Sequence, residues 1–438
     1  VSACRETNAA LYPEPRKPFP AMFPARVKAE DFSDRRDVDD RLTPYNWLFI
    51  QTARGEHQGQ PFEVNIPRRC LHCQNPPCAK LCPWGAMGRD ADGSVRVATD
   101  ICLGGAKCRQ VCPWHIPQRQ TGVGLYLKLM PAYGGNGVMY KCHRCKERMA
   151  LGELPACIEA CPNQVQSIGP RPEMAEKAKA LAASMNGHVY GLTENGGTNT
   201  FYVSPVPFPV LDQALAAGKQ TGPGKPHLKA VPEALATEGR LAALPFLAAF
   251  TGVARAGLSV ARRLPDRPWV PGGPAKAASP AVAPAHPLSR GQRRLFLALM
   301  AGLSLTGMAQ MPIFKRYYIA DIPGLGWLDD FYLVHVLHYA LAVPLLFLLG
   351  LWAVRWLREW RGTFALTALA PARAALLAGL AVSGLVRVAK NLPVNPLGPT
   401  AAMLVDWVHL GLAALLGLTA LAAVLAGGSA YVRARKRG

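Results

Sequence analysis

No molybdopterin, nickel or nucleotide motif occurs in these 438 residues, and no nucleic-acid-binding module either. The first absence places any substrate chemistry on another subunit. The second bears on charge. Acidic residues are scarce, 28 against 49 Lys and Arg, which leaves a formal charge of +21. With no such module, no nucleic-acid partner is expected, and the charge suits anionic lipid. The first half of the chain is not especially apolar. The apolar excess lies after residue 290, which points to a soluble domain followed by a membrane domain. Cysteine is almost missing outside one stretch: eleven of twelve lie within residues 70–161, and the twelfth is Cys4. Val1 is neither a methionine nor the start of a signal peptide.

The clustered cysteines form three groups. The first is Cys70, Cys73, Cys78 and Cys82. The second is Cys102, Cys108 and Cys112. The third is Cys142, Cys145, Cys157 and Cys161. Each group closes in Cys-x3-Cys-Pro. Iron–sulfur cubes take one thiolate per iron, and short Cys-x2-Cys loops can aim backbone N–H groups at the cluster sulfurs. Structural zinc also uses Cys-x2-Cys pairs but has no need of the closing run. A disulfide framework requires no such tight spacing. The pattern therefore selects iron–sulfur ligation. Cys4 is either a lone buried cysteine or the last ligand of a group that begins before Val1, and the second reading is preferred because Cys4 has no other partner.

Around the cysteines the chain reads simply. Tyr45–Ile50 is an apolar patch expected as a strand. Residues 173–184 look helical, and 188–208 read as strand, glycine turn, strand. The expected domains are a multi-cluster ferredoxin domain at 1–212, a connector at 213–240, a candidate transmembrane helix at 241–261, a Pro-rich basic linker at 262–292, and a four-helix membrane domain at 293–438. The run at 241–261 contains Arg255, so it either spans a bilayer or packs as an amphipathic helix. Four further apolar runs lie near 295–314, 331–354, 374–390 and 403–427.

Residues 1–210 resemble the iron–sulfur subunits of membrane-bound formate dehydrogenases, periplasmic hydrogenases and related molybdenum-enzyme complexes. The likeness rests on the motifs at 70–83 and 142–162, on Trp84-Gly85-Ala86-Met87, and on the tail from Gly196-Gly197-Thr198 to Pro207-Phe208. The resemblance implies [4Fe–4S] clusters at three or four sites in the full-length protein, with the last cysteine of each group crossing to another cluster. Cys70, Cys73 and Cys78 would then share a cluster with Cys112, and Cys142, Cys145 and Cys157 with Cys4. Cys161 would complete a cluster whose other cysteines precede Val1. Gly105 stands where the family has a cysteine. That leaves Cys82, Cys102 and Cys108, a three-thiolate set suited to a [3Fe–4S] cluster or to a cube with one non-cysteine ligand, at higher potential.

Histidine in the apolar runs is restricted to His335, His338 and His409. At ~1.5 Å rise per residue they reach similar depth, as one bis-histidine haem b requires. Either His335 or His338 could be the axial ligand opposite His409; packing contacts or a quinone hydrogen bond are the alternative uses. Asp406 is an intramembrane carboxylate able to orient an imidazole or handle a quinone proton. Arg387 and Lys390 could neutralise haem propionates or anchor at headgroups. Residues 295–438 resemble the four-helix cytochrome b subunits that partner such iron–sulfur subunits. Leu303-Ser304-Leu305-Thr306-Gly307 resembles that family's first helix without its histidine.

The expected fold is an α+β ferredoxin-like multi-cluster domain followed by an all-α transmembrane bundle. The expected function is electron transfer between a catalytic partner and the quinone pool. That partner would be a subunit of molybdenum-oxidoreductase or hydrogenase type, or a multihaem cytochrome. A haem-free structural anchor and a self-contained quinone reductase fed by a soluble carrier are the competing readings. Lys/Arg-rich connections place the protein in the inner membrane, multi-pass. If 241–261 spans, the cluster domain is periplasmic; the resemblance agrees, since such subunits usually travel folded through the twin-arginine route.

Overall fold

The computed structural model describes residues 1–15, 28–35, 37–129, 137–261, 286–311, 319–391, 397, 399–426, 428 and 431–435. Most of the linker at 262–292, the end of the 295–314 run, and Lys315, Arg316, Lys436 and Arg437 lie outside them. The chain divides into two compact units, one mainly from residues 1–236 and one mainly from 237–438. The first is an α+β unit of small sheets and the second is helical.

In the first unit the sheets are antiparallel pairs: β1 (Phe49–His57) with β2 (Gln60–Arg68), β3 (Met87–Arg89) with β4 (Val95–Val97), β5 (Gln118–Thr121) with β6 (Gly137–Tyr140), and β7 (His188–Tyr190) with β8 (Tyr202–Ser204). Among them lie α1 (Ser2–Thr7), α2 (Pro77–Lys80), α3 (Lys107–Gln110), α4 (Tyr126–Leu129), α5 (Lys146–Ala150), α6 (Ala156–Glu159), α7 (Arg171–Ser184) and α8 (Phe208–Ala217). The helix expected at 173–184 and the strand pair expected in 188–208 are both present. The strand expected at Tyr45–Ile50 is corrected: it starts only at Phe49, runs to His57 and turns back into β2. The two-residue turn is Gln58-Gly59, with φ of 53° and 74°. Positive φ at both positions suits the right-handed strand twist. The outer half of β1, Arg54-Gly55-Glu56-His57, carries no apolar alternation that would have marked it.

β1 buries Phe49 and Ala53 with Leu211 and Leu215 of α8 in one core. Trp114, Tyr190 and Leu228 join it, and so do Cys70, Cys73 and Cys112. The thiols are thus inside the core rather than beside it.

The second unit contains α10 (Leu244–Ala261), preceded by the short α9 (Ala236–Leu241), then α11 (Arg290–Ala309), α12 (Phe331–Arg355), α13 (Ala370–Lys390) and α14 (Pro399–Leu425). A small sheet pairs β9 (Phe364–Leu366) with β10 (Val432–Ala434). Among the described residues, four helical stretches are long and apolar enough to cross a membrane: Gly239–Ser259, Phe331–Trp360, Ala370–Lys390 and Thr400–Leu425. The run expected at 295–314 forms α11 as far as it is described, with Arg290, Arg293 and Arg294 in its first turns. The uncertain run at 241–261 is among the four.

Apolar side chains of these helices point outward: Phe250 is 70% exposed, Val382 62% and Leu418 63%. That surface belongs against hydrocarbon. Where α10 meets α12, glycine allows close approach. A Cβ on Gly252 would strike the Phe347 carbonyl, and one on Gly350 would stand 2.9 Å from the Ala249 carbonyl oxygen.

Candidate metal centres

The three cysteine groups share one local design. In each, the residue two after the first cysteine is left-handed: His72 (φ 51°), Gly104 (φ 63°) and Arg144 (φ 64°). This turn swings backbone N–H groups toward sulfur. Gly104 N–H donates to Cys102 Sγ at 3.5 Å, and Arg144 N–H to Cys142 Sγ at 3.4 Å. Next comes a four-residue helix, α2, α3 or α6, with Cys78, Cys108 or Cys157 at its second position. The Cys-Pro pair then closes a turn. Gly85 N–H reaches the Cys82 carbonyl (3.3 Å), His115 the Cys112 carbonyl (2.9 Å), and Gln164 the Cys161 carbonyl (3.1 Å).

Cavities result. Cys70, Cys73, Cys78 and Cys112 line one, with Trp114, Ile116 and Lys141 in its wall. Cys82, Cys102 and Cys108 line another, with Gly105 beside them. Burial pushes the Cys73 thiol up to about 12, with help from Cys112, and burial likewise pushes Cys112 up to about 11. Burial raises Cys102 to about 11 and Cys108 well above its ordinary value. Thiolates crowded in such dry rings repel one another and need a cationic centre to offset their charge. The donor set fits iron–sulfur clusters on that count.

In the third group, burial raises Cys4 to about 12, and repulsion from Cys142, Cys145 and Cys157 adds to it. Cys4 of α1 is therefore a near neighbour of those three. The Arg69 guanidinium donates to Cys157 Sγ at 3.1 Å. Cys161 lines neither cavity. Desolvation raises its thiol a little, but the backbone N–H groups of Val165 and Asn163 outweigh this and hold it below the usual range.

Sequence reasoning missed how these loops are braced. Gln74 N–H donates to the Gly197 carbonyl at 3.0 Å, and Asn199 N–H to the carbonyls of Leu71 (3.1 Å) and His72 (3.0 Å). The Gly196-Gly197-Thr198 tail is therefore a clamp on the first cysteine loop. Gly197 takes φ 99°, open to glycine and strained for other residues. The Trp114 indole N–H donates to Tyr190 Oη (2.7 Å), whose hydroxyl donates to the Lys229 carbonyl (2.8 Å).

In the helical unit His335, His338 and His409 each meet a side chain from another segment. His338 Nδ1 lies 2.9 Å from Thr306 Oγ1, and His409 Nδ1 lies 2.8 Å from Ser383 Oγ. His335 Nδ1 lies 3.3 Å from Gln310 Oε1. The His335 ring is enclosed, 4.6 Å from Tyr339 and 5.9 Å from Phe331 between ring centres. Among the described residues Asp406 meets no imidazole. Its carboxylate pairs with Arg387 Nε at 2.6 Å and Lys390 Nζ at 3.3 Å. Ser383 and Gln310 were not singled out in the sequence, and Thr306 only as part of the 303–307 run, because a small hydroxyl in an apolar helix looks like filler.

Residues 62–171 match the model of the 4Fe-4S dicluster domain. Among curated proteins, the sequence is 38% identical over 133 residues to the B subunit of the anaerobic dimethyl sulfoxide reductase of Escherichia coli, covering 30% of this protein and 58% of that one. It is 27% identical over 219 residues to the hydrogenase-2 operon protein HybA of Escherichia coli O157:H7, covering 42% and 63%. A protein of Nitratidesulfovibrio vulgaris is 29% identical over 225 residues, covering 50% and 54%. The chain thus spans between about half and two thirds of the length of these relatives.

Proposed function

We propose that this protein is the electron-transfer subunit of a membrane-bound respiratory oxidoreductase, linking a catalytic partner to the quinone pool. The observation that carries the reading is the joining, in one polypeptide, of buried thiol rings to apolar helices bearing partnered imidazoles. When bound, iron–sulfur clusters and one haem b would supply one-electron transfer. Cys70, Cys73, Cys78 and Cys112 would hold one cluster, and Cys4, Cys142, Cys145 and Cys157 another. Cys82, Cys102 and Cys108 would hold the three-thiolate site beside Gly105. His409, with His335 or His338, would hold the haem. Lys141, Arg69 and Arg144 bring positive charge near the thiols, where it favours electron acceptance. The names of the relatives, a dimethyl sulfoxide reductase subunit and a hydrogenase operon protein, support a catalytic partner of one of those types. We read the cluster unit as lying on the periplasmic side of the inner membrane: Gly239–Ser259 qualifies as a span, and counting α11 as a further one brings the Arg-rich connections inside.

A second reading is a haem-free anchor, in which the imidazoles are packing contacts. Their existing hydroxyl and amide partners favour it. One spectrum separates the two. The purified protein, oxidised and then reduced with a quinol, should develop sharp b-type bands over broad iron–sulfur bleaching. Bleaching alone would leave only the anchor reading.

A further inference from the structure

The two helix pairs of the second unit carry the same residues at the same places. Ala301-Gly302-Leu303-x-x-Thr306-Gly307 on α11 matches Ala378-Gly379-Leu380-x-x-Ser383-Gly384 on α13. Leu333-Val334-x-x-x-His338-x-x-Leu341-Ala342 on α12 matches Leu404-Val405-x-x-x-His409-x-x-Leu412-Ala413 on α14. The contacts repeat as well. Thr306 Oγ1 donates to the Gly302 carbonyl and Ser383 Oγ to the Gly379 carbonyl, each at 2.8 Å. A Cβ on Gly307 would lie 3.4 Å from His338 Cε1, and one on Gly384 3.4 Å from His409 Cε1. A Cβ on Gly302 would meet Leu341 at 2.9 Å, and one on Gly379 would meet Leu412 at 3.0 Å. Matched sequence with matched contacts on both helix pairs makes a duplicated hairpin, of the kind whose copies keep one orientation in the membrane.

The hydroxyls bear on the imidazole tautomer. Thr306 Oγ1 and Ser383 Oγ each lie 2.8 Å from a carbonyl of their own helix. With the hydroxyl proton assigned to that carbonyl, the oxygen accepts from Nδ1 of His338 or His409, and Nε2 keeps its lone pair. Both imidazoles are partly open, whereas His335 is buried between aromatic rings. His335 is moreover the equivalent of Asp406, not of His409, and its partner Gln310 is the equivalent of Arg387.

We propose that Thr306 and Ser383 are the paired positioning residues of this duplicated hairpin. They hold His338 and His409 with Nε2 bare, making these two, and not His335, the axial ligands of the haem. This rests on the haem reading above. It adds the choice of ligand, the hydroxyl clamps and the duplication that unites them.

The test uses the full chain in membranes, with reduced-minus-oxidised spectra and haem content as readouts. His338→Gly and His409→Gly should each lose the b-type bands, and added imidazole should restore them, which separates ligand loss from misfolding. His335→Gln should keep the bands. Thr306→Val and Ser383→Ala should retain haem but shift its midpoint potential, both in the same direction, because each removes a hydrogen bond from a ligand imidazole. Loss of haem in His335→Gln with retention in His338→Gly would overturn the assignment and leave the haem reading intact. Unmoved potentials in both hydroxyl variants would overturn the clamp. A wild-type protein without b-type bands would overturn the haem reading itself.

Discussion

In the cysteine unit the thiols belong to the core, whereas in the helical unit the imidazoles are set into helices that stand without them. Hairpins of three or four residues bury too little to be stable alone. The thiol cavities lie where a hydrophobic centre would otherwise be, and Cys70, Cys73 and Cys112 pack in the same cluster as Phe49 and Trp114. The long helices of the other unit satisfy their own backbone and turn leucine outward. On the proposed reading, electron carriers would be structural in one half and added in the other, and the two halves should respond differently to the same insult.

Ligand removal should show the largest contrast. Cys78→Ser takes one thiolate from the first cavity, and the expected loss is about four irons per chain, with proteolytic opening of residues 70–117. The helical circular-dichroism signal of the membrane unit should persist. If both units collapse together, the contrast fails. Arg387→Leu comes next. It strips the closer partner from a buried carboxylate, and the expected cost is about 3 kcal/mol in detergent thermal unfolding. The double variant Arg387→Leu/Asp406→Leu should not recover that, since it takes the carboxylate away from the buried Lys390 ammonium.

Acid should act on the cysteine unit alone. Burial raises Cys73 to about 12 and Cys112 to about 11, so protons compete with iron for these thiols across the neutral range. Raised pKa values favour the protonated, iron-free form. Iron captured by an external chelator should therefore increase as pH falls from about 9 to about 6, and slow as pH rises toward about 11. A pH-independent rate would contradict this. The smallest effect is expected from Gly105→Cys. It restores a fourth thiolate, so an oxidised [3Fe–4S] EPR signal should give way to signals of reduced [4Fe–4S] centres only, with the other sites unmoved. Absence of the [3Fe–4S] signal from the wild type would show that another ligand already completes that site.

The thiol groups were legible because their chemistry is local: three groups repeat one spacing, and the backbone repeats one turn through His72, Gly104 and Arg144. Gly105 was legible as a substitution for the same reason. The β1–β2 hairpin was not, because Arg54–His57 carries polar residues on both faces. The partners of the histidines were hidden by distance, since Thr306 stands 32 residues from His338 and Ser383 26 residues from His409. That same inequality in the connections breaks the fixed period by which a duplication is usually noticed. The span at 241–261 was undecided in the sequence because Arg255 argues against a helix that Gly252 and Gly350 pack tightly onto α12.

The clamp on the first cysteine loop has a consequence in time. The backbone groups of Leu71, His72 and Gln74 find their partners at Gly197 and Asn199, more than a hundred residues downstream. A ribosome adding ~5–20 residues per second leaves that loop unbraced for on the order of ten seconds after it is made. The first cavity is therefore finished late although its cysteines are made early. Whatever delivers iron to it has an interval in which the thiols are gathered, accessible and not yet locked.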